Sequence, residues 1–459
     1  MEIDSERADP ASPAEAWRRQ RREALGRYVE AEAFEAAADE GDLEPSDATF
    51  AAELADRSTH EGAHRDALFA GLLAASAARR RGSVRLAIEP GGREALAERL
   101  STLVPALVDE DAAHDAAGAL VELAAAEEAG TLIGEPGEYA PLVVENGHLY
   151  RHRDRAAEDR VARAVSNRLV DEWTRDFEVA GESPGPDEIR RHLEAIRATT
   201  NPTPTVEQLY GVVTAATSPL SALTGGPGTG KTWLITTLLR LLDALGVAPD
   251  DIALAAPTGK AADRLGDQLQ ERIRASVPER GDTLDLTDAG PGGLARMAAA
   301  LPEPATLHRL LGYSERRRVF RHDEYRPLSH EYVVVDEASM IDLELMDRLV
   351  AAMAPEAKLV LVGDAHQLPA VGSGAVFRDL VPSSIETVDR RLEALPEALE
   401  TRASDEPLAA QSVVLTENFR MNPDRPGGSR ILATARAVRE GGDELVFSAD
   451  ADDRSADAP

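Results

Sequence analysis

Residues Gly225–Thr232 read Gly-Gly-Pro-Gly-Thr-Gly-Lys-Thr, a complete G-x-x-x-x-G-K-[ST] spacing of the kind that wraps phosphate. Gly225, Gly226, Gly228 and Gly230 let successive backbone N–H groups turn inward, with Pro227 and Thr229 between them. A helix starting at the end of the loop adds its positive pole. Lys231 has the length to reach β- and γ-phosphates, and the Thr232 hydroxyl suits Mg2+. Further on, Val333-Val334-Val335 delivers Asp336 and Glu337 side by side. Asp336 suits a grip on Mg2+, direct or through water, opposite Thr232, and Glu337 suits a general base on an attacking water. An acidic pair after a strand is often a plain helix cap; the phosphate loop upstream favours the metal reading.

Gly363-Asp364-Ala365-His366-Gln367-Leu368-Pro369 follows the next apolar run. Gln367 is placed there to sense a γ-phosphate, while His366 reads as a solvent-exposed bystander. Two further junctions suit the phosphates of a nucleic-acid strand: Pro257-Thr258-Gly259-Lys260, and Thr306-Leu307-His308. Each, taken alone, is also a routine strand-to-helix turn. Between Tyr313 and Arg326, five arginines interleave with Tyr313, Phe320 and Tyr325. Cations with stacking rings suit single-stranded nucleic acid, and a small solvated hairpin accounts for them equally well. Arg18–Arg22 and Arg79–Arg81 read as solvated helix faces.

These residues need elements to hold them. Leu220–Thr224, Ile252–Ala256, Tyr332–Val335 and Leu359–Val362 are near-continuous apolar runs, as parallel strands covered on both faces require. Ligands of open α/β sheets sit beyond the carboxyl ends of such strands. Upstream the texture is helical from about Trp17 to Leu132, with Leu68, Phe69, Leu72 and Leu73 on one face. Leu142–Glu145, Asn146-Gly147 and His148–Arg151 predict a hairpin with a type I′ turn, and Glu158–Phe177 predicts another helix. The expected layout is a disordered 1–15, an α-rich domain over 16–155, an α/β domain over 156–385 with a small insertion near 313–330, and 386–459 beyond it.

The chain has 459 residues, 82 acids against 50 bases, no cysteine and a formal net charge of −32. Disulfide frameworks, zinc–cysteine sites and iron–sulfur clusters are therefore excluded, and indiscriminate nucleic-acid binding is disfavoured, although a local basic groove is not. No apolar run has the length of a membrane span, so the expectation is a cytoplasmic protein without a membrane partner. Acidity with so few lysines matches adaptation to high salt or drift of Lys to Arg. Only Lys231, Lys260 and Lys358 are lysines. The first two lie in the motifs above, and Lys358 has no evident role in the sequence.

Together these motifs resemble superfamily 1 helicases. The wording of Gly225–Thr232, Val334–Met340 and Leu361–Gly372 is similar to RecD, the alpha subunit of exodeoxyribonuclease V, and so is Pro141–Tyr150. The resemblance implies a RecA-like P-loop ATPase domain, an N-terminal domain that docks on partners, and the start of a second RecA-like domain within 386–459. It gives Gln208 the role of adenine reader and makes Arg420, in Asn418-Phe419-Arg420, a γ-phosphate contact from that second domain. It implies ATP and Mg2+ as cofactors, and 5′→3′ movement on single-stranded DNA entered from duplex ends. The implied partners are the beta and gamma subunits of exodeoxyribonuclease V, one of which would hold the nuclease activity. The family's motifs V and VI do not occur before Pro459, so a truncated or split version with impaired turnover is expected. A non-catalytic ATP-binding scaffold and a stand-alone RecD-like helicase are the alternatives.

Overall fold

The computed structural model describes residues 43–416 except 60, 89–91, 104–109, 126–131, 136, 172–183, 185, 199–203, 277–302, 368–373, 375 and 382–411. The chain divides into two compact units, the first built mainly from residues up to 163 and the second mainly from residues 164 onward.

In the first unit, α1 (Pro45–Arg57), α2 (Ala63–Arg80), α3 (Gly92–Leu103) and α4 (Glu110–Ala125) surround an Ala- and Leu-rich core. Leu68, Phe69, Leu72 and Leu73 are all buried along one face of α2, as their spacing requires. The hairpin forms as expected: β3 (Leu142–Glu145) pairs antiparallel with β4 (His148–Arg151). Asn146 and Gly147 both take positive φ, 48° and 72°, which the type I′ turn demands at its two central residues. The unit is less purely helical than the sequence suggests. Short β1 (Arg85–Ala87) and β2 (Ile133–Gly134) complete a sheet of order β1-β4-β3-β2, and neither is long enough to show a period of two.

Arg79–Arg81 departs from expectation. Arg79 Nε lies 3.2 Å from Asp154, Arg80 bonds Asp47 at 2.8 Å and Glu44 at 3.0 Å, and Arg81 donates to Thr102 O at 2.9 Å. The fork of Arg80 holds the Glu44 carboxyl below its usual range and so braces the first turn of α1. This is an ion-paired brace, not a solvated face. The helix expected over Glu158–Phe177 begins earlier, in α5 (His152–Asp171), and its expected end over 172–177 lies outside the described residues.

The second unit is a six-stranded, wholly parallel sheet of order β10-β5-β9-β8-β6-β7. Its members are β5 (Leu220–Gly225), β6 (Ile252–Ala256), β7 (Ala305–Thr306), β8 (Tyr332–Val335), β9 (Lys358–Gly363) and β10 (Ser412–Leu415). Every residue of β5, β6, β8 and β9 is buried, which explains why their sequences run apolar without alternation. Helices α6 (Pro186–Ala198), α7 (Val206–Thr217) and α8 (Lys231–Ala244) share their core with the sheet. The Tyr332 hydroxyl, buried in it, donates to Ala216 O at 2.7 Å. Lys358, left without a role by the sequence, lies 3.2 Å from Glu331 and 4.6 Å above the Tyr332 ring. It is a structural lysine, held by a carboxylate and a π-face.

The fold is thus mixed α/β with a parallel P-loop sheet. The boundary expected at 385 moves, because β10 joins this same sheet beside β5. The remainder of 386–459, including any second RecA-like domain, lies outside the described residues, as does the N-terminal stretch 1–42.

Candidate functional site

All six strands run the same way, so their carboxyl ends form one rim. In spatial order these ends lead to Thr416, the loop from Gly225, Asp364–Gln367, Asp336–Glu337, Pro257–Lys260 and Thr306–His308. Every described sequence candidate except Gln208 and the Tyr313–Arg326 stretch lies on or directly after this rim. Strands spaced about 4.8 Å apart put the end of β7 roughly 19 Å from that of β5. One nucleotide's phosphates cannot span that distance, so the candidates at the two ends of the rim cannot serve the same phosphate groups.

At the first end the loop is preformed. Gly228 and Gly230 take φ of 86° and 90°, the left-handed region in which side chains are strained. A Cβ on Gly230 would also collide with the Gln208 amide, whereas one on Gly226 would meet nothing within 4 Å. Lys231 Nζ turns into the loop, donating to Gly225 O at 2.7 Å and Gly226 O at 3.4 Å. Thr229 is buried and bonds Gly226 O through its hydroxyl at 2.9 Å. A glycine cradle, an inward ammonium and the start of a 14-residue helix form a donor set suited to polyphosphate.

Gln208 stands beneath the loop. Its Oε1 accepts from Thr205 N at 3.1 Å, its Nε2 donates to Thr229 O at 3.2 Å, and the residue is 3% exposed. It caps α7 and props the phosphate loop, a support that its place in the sequence did not disclose. Its neighbour Glu207 accepts from Thr416 N at 2.9 Å and from the Thr416 hydroxyl at 2.7 Å, tying the end of β10 to α7. Arg420, four residues on, lies outside the described residues.

Asp336 is fixed by its own chain. Its backbone N–H donates to Ala255 O at 2.9 Å, and its Oδ1 accepts from Glu337 N at 2.9 Å. Burial, followed by the charge of Glu337, pushes its carboxyl up to about 6, against the pull of that hydrogen bond, Lys231 and Arg264. A carboxylate held this reluctantly in its charged form favours a nearby cation. Glu337 takes a left-handed φ of 53°, uncommon for a side chain of its size, and its Oε1 lies 4.0 Å from Arg264 Nη1. Among the described residues no cluster of three His, Cys, Asp or Glu could hold a metal alone. That suits Mg2+, which binds through one or two protein oxygens together with phosphates; Thr232 and Asp336 are the residues that would hold it.

Asp364 was overlooked in the sequence. It is buried, its Oδ1 accepts from His366 N at 3.1 Å and its carbonyl accepts from Gln367 N at 3.1 Å. The Thr224 hydroxyl accepts from Ala365 N at 2.9 Å, pinning this turn to the strand that carries the phosphate loop. Gln367 is thereby presented at the surface, and His366 is exposed as expected. The signal was the Gly-Asp pair, a turn former.

At the far end, Thr258 Oγ1 accepts from Ala261 N at 3.3 Å at the start of α9 (Gly259–Ser276). Thr306 Oγ1 accepts from Arg309 N at 3.1 Å at the start of α10 (Leu307–Leu310). Each cap uses a lone pair and leaves the hydroxyl proton available to a ligand. Pro257 is half-buried at the strand exit; Thr258, Lys260 and His308 are exposed. His308, Tyr313 and Phe320 form a ring cluster with centroids 4.9 to 5.7 Å apart, and Tyr325 is 84% exposed. Bridges Ser314↔Val319 and Asp323↔Arg326 make this insertion a pair of tight turns.

Comparison with known proteins agrees with this geometry. The family model "RecBCD enzyme subunit RecD, N-terminal domain" matches residues 39–150, and the model "AAA domain" matches 208–373. The chain is RecD-like. It is 34% identical over 293 residues to the RecBCD enzyme subunit RecD of Haemophilus influenzae, covering 62% of this chain and 43% of that protein. It is 45% identical over 184 residues to RecD of Mycobacterium tuberculosis H37Rv, covering 39% and 29%. With the ATP-dependent RecD2 DNA helicase of Deinococcus radiodurans it shares 37% over 155 residues, 34% of this chain and 17% of that one. The RecD-like chain therefore spans less than half the length of these relatives. Among its described residues no helix is long and apolar enough to cross a membrane.

Proposed function

We propose that this RecD-like chain is an ATP-driven DNA helicase subunit, working in the cytoplasm within a helicase–nuclease that processes double-strand ends. The observation that carries this reading is the division of one sheet rim. Phosphate-loop and carboxylate residues follow the carboxyl ends of β5, β9 and β8, while exposed Thr258, Lys260 and His308 follow those of β6 and β7. Strands β5, β9, β8 and β6 share one close-packed core, a physical link through which a change at the nucleotide end can reach the other.

In this reading Gly225–Thr232 binds the triphosphate of ATP, Thr232 and Asp336 take Mg2+, and Gln367 senses the γ-phosphate. Bound Mg2+ would neutralise charge on the phosphates and orient them. Glu337 accepts the proton of the attacking water, and Lys231 leaves the Gly225 and Gly226 carbonyls for phosphate oxygens. Gln208 keeps the loop in shape from below; the base-reading role expected for it requires its amide to leave Thr229. Pro257, Thr258, Lys260, Thr306 and His308 contact single-stranded DNA. Translocation 5′→3′, Arg420 as a further γ-phosphate contact, and assembly with beta and gamma subunits rest on the likeness to RecD.

The test is Glu337→Gln, assayed with the subunit partners and single-stranded DNA. It should bind a fluorescent ATP like the parent and lose DNA-stimulated hydrolysis by at least about a hundredfold, the scale of a lost general base. Unchanged turnover would reduce the acidic pair to a helix cap. ATP binding without turnover by the parent chain in any assembly would mark a nucleotide-binding scaffold instead.

A further inference from the structure

Helix α9 carries a residue that the motifs do not include. The Thr232 hydroxyl donates to Gln268 Oε1 at 2.6 Å. Gln268 sits between Leu265 and Leu269, both buried in the sheet-facing core, so its backbone is fixed and its partly buried side chain is aimed at the phosphate loop. A hydroxyl that ligates a cation must offer oxygen lone pairs and send its proton elsewhere. Donation to Gln268 does this: it sets the Thr232 rotamer, removes the proton from the metal side and leaves the lone pairs open. If the amide were reversed, its N–H would occupy one of those lone pairs and oppose the metal.

We infer that Gln268 is a positioning residue for the divalent cation, acting through Thr232 as a proton acceptor. This rests on the nucleotide-site reading above, in which Thr232 is a metal ligand. Outer partners of this kind commonly change metal affinity by about 10- to 100-fold. Gln268 should therefore strengthen nucleotide binding when Mg2+ is present and have little effect when it is absent.

The experiment uses the full chain and a fluorescent ATP, titrated once with Mg2+ and once with EDTA, so no turnover is needed. Gln268→Leu, close in volume, should lose about tenfold of the Mg2+-dependent gain in affinity and keep the EDTA affinity of the parent. Gln268→Glu can only accept from the hydroxyl at neutral pH, and should restore the gain. Thr232→Val separates this inference from its foundation. If Thr232→Val loses the gain and Gln268→Leu keeps it, the role of Gln268 is overturned while the nucleotide site stands. If Thr232→Val itself keeps the gain, the site reading fails. An equal fall of Gln268→Leu in Mg2+ and in EDTA, or no rescue by Gln268→Glu, would also overturn the inference.

Discussion

Asp336 should make the metal-free protein less stable, because its carboxylate is forced to ionise where burial disfavours charge. Raising it from 3.8 to about 6 costs roughly 3 kcal/mol at neutral pH, at about 1.4 kcal/mol per pH unit. The residue is only partly buried by exposed area, so solvent screening lowers this to about 2 kcal/mol. Asp336→Asn retains an oxygen to accept from Glu337 N and removes the charge. The folded carboxyl holds its proton up to a higher pH than the unfolded one, so stability is lost as pH rises from about 4 through about 6. The two proteins should match near pH 4, and the Asn variant should lead at pH 7.5. For a unit of this size about 2 kcal/mol corresponds to a gain on the order of 5 °C in Tm. Differential scanning fluorimetry in EDTA at fixed ionic strength, from pH 4 to 8, measures the difference directly. A difference that is absent, or that does not change with pH, would refute the electrostatic account of Asp336. With Mg-ATP the order should reverse, since only the carboxylate gains from the cation.

Three further outcomes follow from residues already placed. Lys231→Ala should weaken ATP binding at least about tenfold, as expected for loss of a charge-assisted contact, while Lys358→Ala should leave affinity alone and lower Tm; calorimetric titration and melting separate the two. Gln208→Ala should weaken ATP and GTP by similar factors, because the amide supports the loop through Thr229 O; a loss confined to ATP would return it to base reading. If the charge of −32 reflects adaptation to salt, Tm should rise between low and molar KCl as self-repulsion is screened, and a flat or falling Tm would favour compositional drift.

The inner strands were legible because burial on both faces leaves an unbroken apolar run, as in Tyr332–Val335, whose limits match the structure residue for residue. The outer strands were not. Ala305–Thr306 is two residues long, and Ser412–Leu415 reads as a short apolar patch with no period to identify it. The phosphate loop was legible because its chemistry is local: a turn needs glycine, and phosphate needs an ammonium and a hydroxyl. Gln268, Thr224, Asp364 and Glu207 were hidden because they serve the site indirectly. Gln268 meets Thr232 across 36 residues, and Glu207 meets Thr416 across 209. Such contacts exist only once the sheet has chosen its strand order.

That strand order also fixes when the parallel-sheet unit can finish folding. β5 carries the phosphate loop, yet one of its two neighbours is β10, whose register places Leu415 opposite Gly225. A Cβ on Gly225 would stand 2.5 Å from Thr229 Oγ1 and 2.9 Å from Leu415 Cβ, so the loop's first glycine also admits β10. During synthesis, β5 must wait as an open edge until residue 415 has emerged. An unpaired apolar edge of this kind invites pairing with other chains. A shortened chain that stops before Ser412 should keep every residue of the phosphate loop and still aggregate, so no cut upstream of Thr416 leaves β5 with both neighbours.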